Sequence, residues 1–261
     1  MNFNIFMFVK VCSKQEYCED FLDGRLYMNT LKYFREFEDL SAANIADHQE
    51  ASNLMLQPSK VTVTIGSHVL NPADFSGPIY IHDVDQGRLN ILCVYAVHNK
   101  DFPVITEVNF SQFTKAQLIG PEVHKLGLYA VVVYDPQKFI ERVIAAADRE
   151  KIEIEASLVN YVDEDSYHDS AENNRAVFFK RDRYSHQREG RFVVNRGSAP
   201  VEPFVLEIGN IRDICELVPI NVVNQIIKDE LEKTKDPIIA SRSSQHNPAA
   251  HSAAVSPDPL Q

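Results

Sequence analysis

The residues best suited to chemistry lie together in the segment Tyr184-Ser185-His186-Gln187-Arg188-Glu189-Gly190-Arg191, which runs into the apolar stretch Phe192-Val193-Val194. A loop dense in hydrogen-bonding side chains thus feeds a strand, and in a strand residues two apart share one face. Gln187, Glu189 and Arg191 are expected to project together, an amide, a carboxylate and a guanidinium grouped toward a cleft or toward water. Such a group can hold a polar or charged ligand. The plainer account of the same residues is an edge strand with a polar face.

Just upstream, Lys180-Arg181-Asp182-Arg183, joined by Arg188 and Arg191, is a local basic cluster in a chain of formal net charge −11. That overall charge opposes a polyanionic partner, because nucleic-acid binders gain affinity by neutralising phosphates. The cluster is expected to be a solvated loop and strand face.

Other chemistry has weaker support. His48, His82, His98, His124 and His168 are scattered without metal-ligand spacing, which favours surface or hydrogen-bonded histidines over a metal site. Ser13 and Ser67 lack a G-x-S-x-G context, and no glycine-rich phosphate loop is present. Cys12, Cys18, Cys93 and Cys215 contain no CxxC, so neither zinc nor a disulfide framework is expected, and a reducing cytosol fits. The acidic, turn-rich segment 163–174 lacks the EF-hand spacing and is expected to be an exposed loop rather than a calcium site.

The elements that must position Gln187 and Glu189 follow from the hydrophobic pattern. Residues 4–11 are expected as a buried strand, 15–22 as a helix stopped at Gly24, 25–30 as a short strand and 31–37 as a helical turn. Residues 38–53 have weak periodicity and are expected as a surface loop or mobile segment. Four β signals between 61 and 97, separated by Asn-Pro, Ser-Gly-Pro and Asp-Gln-Gly breaks, suggest a meander. A buried strand at 128–134 precedes the clearest helix, 136–149, with Phe139, Ile140, Val143, Ile144 and Ala147 on one face. Strands at 157–162, 176–179, 191–194 and 204–208 and a helix at 222–233 complete the reading.

The pattern implies an α+β protein with mixed, mostly antiparallel sheets and flanking helices. Its composition, 44% hydrophobic and 24% charged, is that of a globular chain. One domain over residues 1–235 is expected, followed by a disordered tail at 236–261 where Ser, Ala, His, Pro and Gln replace periodic apolar residues. No run approaches the roughly 18 apolar residues of a membrane helix. At the N-terminus the charge of Lys10 follows the apolar run, whereas a secretory signal has it in front. No membrane association and a cytoplasmic location are the expectation.

Phe178-Phe179-Lys180 followed by Tyr184 to Val194 resembles the C-terminal signature of a large, poorly characterised bacterial family, in which Glu-x-Glu-x-Arg leads into a strand. Leu26 to Thr30, then Tyr33-Phe34, Asp47 and Glu50, is similar to that family's N-terminal half, and the likeness spans residues 3–220 through about twenty motif positions. Both ends also look like ADP-ribosyltransferases, which split NAD at the nicotinamide glycosidic bond. The resemblance implies an ADP-ribosyltransferase-like fold with Lys10 contacting the NAD phosphates, Tyr27 or Tyr33 stacking on the nicotinamide, and Asn29 or Thr30 bonding within the pocket. It implies Glu189 as the catalytic carboxylate, stabilising an oxocarbenium-like ribose, and Gln187 as the residue orienting the acceptor. The chain departs from the pattern with Asn29-Thr30 in place of Ser-Thr-Ser, Lys10 in place of Arg or His, and Gln187 in place of the first Glu, which disfavours arginine as acceptor.

The function so implied is that of an intracellular bacterial ADP-ribosyltransferase, a toxin or antiphage effector of the toxin–antitoxin kind. It would use NAD and no metal, modify a protein or RNA acceptor, and be restrained by an antitoxin or inhibitor protein. The alternative is a non-catalytic binding module on the same fold that engages a protein partner.

Overall fold

The N-terminal apolar run lacks strict alternation because neither of its faces meets water: Phe8 and Cys12 pack on one side, Met7 and Val9 on the other. A computed structural model describes residues 3–36, 47, 49–170 and 175–240 of the chain. It opens with β1 (Ile5–Cys12), α1 (Gln15–Leu22), β2 (Arg25–Thr30) and α2 (Leu31–Glu36). Next come β3 (Leu54–Leu56), β4 (Thr64–Ile65), β5 (His68–Val69), β6 (Ile79–Ile81) and the long β7 (Asn90–His98). The middle of the chain forms α3 (Phe110–Ala116), α4 (Pro121–His124), β8 (Tyr129–Val133), α5 (Pro136–Glu150), β9 (Glu153–Leu158), β10 (Asn160–Val162) and β11 (Asp169–Ser170). The last part holds β12 (Phe179–Arg181), β13 (Glu189–Asn195), β14 (Phe204–Glu207), β15 (Cys215–Pro219), α6 (Val223–Lys233) and α7 (Lys235–Ala240). The architecture is mixed α+β with mostly antiparallel sheets, and β10 with β12 is the one parallel pair among the described strands.

Among the described residues the main sheet has eight strands, and it forks at β7. Ile91 pairs with both Val193 of β13 and Asn29 of β2, while Tyr95 pairs with both Glu189 of β13 and Val9 of β1. A strand has only two edges, so β2 and β1 occupy the same edge of β7 in succession, and β13 runs along the other. Between the two, at residues 92–94, β7 has no strand partner on that edge among the described residues. Lys10 fills the gap: its Nζ donates to the Cys93 carbonyl at 3.1 Å.

One sheet face buries Phe8, Leu92, Val94, Val131, Phe192 and Val194 under α1 and α5, with Phe8, Phe139 and Phe192 in edge-to-face contact. The helix α5 forms as its sequence requires, with the Asp135 carboxylate accepting from Lys138 N at 2.9 Å and Lys151 ending it in the left-handed region. The opposite face carries two separate apolar clusters. One joins Met7, Val9, Tyr95 and Val97 to α3 and α6; the other joins Ile91 and Val193 to Leu31 and to Ala176, Val177 and Phe178.

Three expectations change. The segment 61–97 is not one meander: β4 and β5 form their own hairpin, β6 pairs with β3, and only β7 enters the main sheet. Of these runs only β7 has apolar residues for both faces, whereas Ile65 and Val69 of the hairpin stay exposed. Residues 176–178 belong to a 3-10 turn, Arg175–Phe178, not a strand. All three pack into one cluster, which an extended chain with side chains alternating across it could not achieve. Finally, α7 carries order past position 235, because Ile238 is buried with Val223, Ile227 and Leu231; the remainder of the expected tail, 241–261, lies outside the described residues.

Candidate functional site

Gln187 closes the 3-10 turn Asp182–Gln187, and Glu189 opens β13. Between them Arg188 takes a left-handed conformation, φ 40° and ψ 50°, which costs a non-glycine residue roughly 1–2 kcal/mol. Its side chain is firmly held, however, donating to the His98 carbonyl at 3.2 Å and to Gln117 Oε1 at 3.1 Å, with Asp101 Oδ2 3.3 Å away. The turn at Arg188 lets Gln187 and Glu189 converge although they do not share one strand. Both meet Lys180 Nζ, at 2.6 Å from Gln187 Oε1 and 2.8 Å from Glu189 Oε1.

The other Glu189 oxygen, Oε2, accepts from Arg191 Nε at 2.8 Å. Arg191 also donates to the Val177 carbonyl and to Glu50 Oε1, and Lys180 Nζ lies 3.6 Å from that same Glu50 oxygen. The four charges balance, two carboxylates against two cations. Glu189 is 8% exposed, Arg191 1%, and the Glu189 amide N–H donates to the Tyr161 hydroxyl at 2.9 Å. The group occupies the seam between the two apolar clusters of its sheet face, since Glu189 lies opposite Tyr95 and Arg191 opposite Cys93.

Electrostatics follow from this geometry. Burial alone would raise the Glu189 pKa, but Arg191 and Lys180 prevail and hold the carboxyl well below its usual range. Burial opposes the charged forms of Lys180 and Arg191 too, yet the carboxylates raise both. Burial and the nearby Glu189 charge push the Cys93 thiol up to about 12.

A second set adjoins the first. Arg181 pairs with Asp47 and, at 3.0 Å, with Glu164, which also accepts from the Tyr80 hydroxyl. Lys180, Arg181 and Arg191 are therefore interior cations, not the solvated basic face expected from the sequence. The segment 38–53 is likewise corrected where it is described: Asp47 and Glu50 are 0% and 4% exposed and anchor it by ion pairs, while residues 37–46 and 48 lie outside the described residues. Residues 163–168 form the expected acidic loop, but Glu164 turns inward to Arg181, and Asp169–Ser170 leave the loop to pair as β11 with β3; residues 171–174 lie outside the described residues.

The remaining sequence candidates do not gather around Glu189. Lys10 shares its face with Phe8, Cys12 and Val131, opposite to the face bearing Glu189 and Tyr95. Asn29 lies on the Glu189 face but opposite Ile91, four residues from Tyr95 along β7, on the order of 13 Å away along the strand and about 10 Å across it. Asn29 Oδ1 accepts from Thr30 N at 2.9 Å, and Thr30 Oγ1 accepts from Tyr33 N at 3.1 Å, so both side chains shape the start of α2. Tyr27 and Tyr33 stand at the surface, 56% and 41% exposed.

A cavity of about 20 Å³ lies beside Lys180 and Arg181 under Tyr167 and Phe179, room for roughly one water. Neither Glu189 nor Gln187 lines it. Among the described residues no group of three or more His, Cys, Asp or Glu side chains is placed to hold a metal ion, and the four cysteines are free. As it stands, the ion-paired group can rigidify the seam and hold distant segments together; to receive a ligand it would have to give up a bond to Lys180 or Arg191. The sequence pattern groups Gln187, Glu189 and Arg191 but does not disclose Lys180, Glu50 and Tyr161 as their partners. Lys180 stood beside the motif, and its pairing with an apolar Phe178-Phe179 was the available signal of burial. Compared with family models, with characterised proteins and with solved structures, the chain matches none.

Proposed function

We propose that the chain is a non-catalytic binding module, in which the Glu189 group is a structural clamp and a protein partner is engaged elsewhere on the surface. The observation that carries this reading is that both Glu189 carboxylate oxygens are taken by intramolecular cations in a charge-balanced, buried cluster. Buried ion pairs of this kind are costly to break and specify which segments lie together. A surface suited to the partner is the strip where Tyr27 faces Val205 across β2 and β14, both exposed, with Tyr33 beside Tyr27. Exposed aromatic residues next to aliphatic ones are common anchors of protein interfaces.

A second reading, ADP-ribosyl transfer, is favoured by one specific observation: Gln187 and Glu189 converge on a single ammonium group at the mouth of β13. In that reading Lys180 leaves, the freed carboxylate stabilises positive charge on the ribose as nicotinamide departs, and a protein or RNA nucleophile takes the ADP-ribose. The two are separated by incubating the full chain with labelled NAD and cell lysate or RNA, alongside Gln187→Ala and Glu189→Gln variants checked for folding by circular dichroism. The binding reading expects no nicotinamide release and no labelled macromolecule. Release that disappears in either folded variant overturns it. In parallel, a partner that co-purifies with the chain should survive Glu189→Gln and be lost with Tyr27→Ala combined with Val205→Ser.

A further inference from the structure

A cleft of about 400 Å³ lies at the far end of β13 from Glu189, between the 3-10 turn Asp85–Arg88 and the residues that follow the strand. That volume is within the range of small-molecule sites. Gln86 lines it, is 2% exposed, and is peculiar in that neither its amide nitrogen nor its amide oxygen has a hydrogen-bond partner among the described residues. The turn does not depend on that side chain: it is closed by Leu89 N donating to the Gln86 backbone carbonyl at 3.1 Å and Gly87 N to the Val84 carbonyl at 3.2 Å. An aliphatic residue would fill the same space without leaving a buried donor and acceptor unmade. Native proteins rarely keep such groups, and an absent ligand or water is the usual reason.

The charge around the cleft narrows the ligand. Asp83 and Asp85 contribute two carboxylates against the single guanidinium of Arg88, which is 3.9 Å from Asp85 and donates to the Ala199 carbonyl. This balance disfavours a phosphate or carboxylate and suits a neutral or cationic molecule. An amide side chain recognises an edge carrying an N–H beside an acceptor, as it does on adenine. Turning the Gln86 amide toward the cleft forfeits no hydrogen bond, whereas a ligand with a matching edge satisfies both of its atoms.

We propose that this cleft binds a planar, uncharged or cationic heterocycle with an amide-like edge, read by the Gln86 side chain; the source is either a nucleobase or a primary carboxamide. The proposal is independent of the binding strip at Tyr27 and of Glu189, and its test uses neither. The full chain, isotope-labelled, is titrated separately with adenosine, cytidine and nicotinamide, and binding is followed by amide chemical-shift changes. Saturable shifts at Gln86, Asn195 and Ser198 with one of the three are expected, and the responding compound tells nucleobase from carboxamide. Gln86→Leu should weaken that binding about tenfold or more while leaving the free protein at least as stable, since two unmade bonds are removed. Gln86→Glu, which keeps the size but not the donor, should weaken it as well. The proposal is overturned by the absence of saturable shifts with all three compounds, by binding unchanged in both variants, or by a loss of stability in Gln86→Leu, which would mean that the amide is bonded within the fold.

Discussion

Arg191 and Glu50 form an ion pair across 141 positions of sequence, with side chains 1% and 5% exposed. The pair ties the segment before β3 to the central strand β13, and the same guanidinium also serves Glu189. Replacing Arg191 by Met leaves two buried carboxylates facing one ammonium, so a stability loss of about 3–5 kcal/mol is expected by urea denaturation. Adding Glu50→Leu to Arg191→Met should cost less than the sum of the single changes, because the second removes a charge that the first left uncompensated. A loss under about 1 kcal/mol for Arg191→Met would contradict the clamp.

Acid should destabilise the protein in two stages. Burial, then Arg188 and Lys100, lower the His98 pKa to about 3, whereas an unfolded histidine titrates near 6.5. A depressed folded value means that the unfolded chain binds the extra proton, so the contribution is whole above about pH 6.5 and fades as pH falls toward 3, with a slope approaching 1.4 kcal/mol per pH unit. Glu189, held down by Arg191 and Lys180 against its burial, adds stability that is whole above the unfolded carboxyl range and fades only in stronger acid. Between pH 6 and 5 the slope should therefore belong chiefly to His98, with a further part from His82, whose pKa burial and Arg35 also lower, and should diminish in His98→Gln. An unchanged slope in that variant would contradict the assignment.

Two glycines offer an internal control. Gly24 has φ +83°, and an added Cβ would collide with the Gly209 carbonyl, whereas Gly66 has φ +60° with open space around it. Gly66→Ala should cost about 1 kcal/mol for backbone conformation alone. Gly24→Ala should cost distinctly more, because α1 and β2 cannot shift without separating Ile208 N from the Gly24 carbonyl, now 2.9 Å apart. Equal midpoint shifts in thermal denaturation would refute the close approach.

Lys10 separates a structural role from a cofactor role. Lys10→Met removes the donor to the Cys93 carbonyl at the fork and is expected to lower stability by about 1–3 kcal/mol. The thermal shift produced by added NAD, if there is one, should be the same in wild type and variant. A shift abolished by Lys10→Met would restore Lys10 as a phosphate contact.

The local pattern of residues was sufficient for β1, α1, β2, α5 and α6, and for the α+β class. It also placed Gln187 with Glu189, although through a turn at Arg188 rather than a shared strand. Failure came where the outcome depended on what covers a surface. Lys180-Arg181-Asp182-Arg183 has the composition of a solvated face, and nothing within that stretch announces that Glu50, Asp47 and Glu189 will neutralise two of its cations in the interior. Periodicity records which side chains share a face, because that is a property of the backbone over a few residues. Whether the face is dry, and whether a carboxylate is free or clamped, is decided by segments more than a hundred residues apart. Desolvation makes that decision matter: in water Glu189 would be one more surface acid, while in the seam of the sheet it persists as an anion only because Arg191 and Lys180 arrive with it.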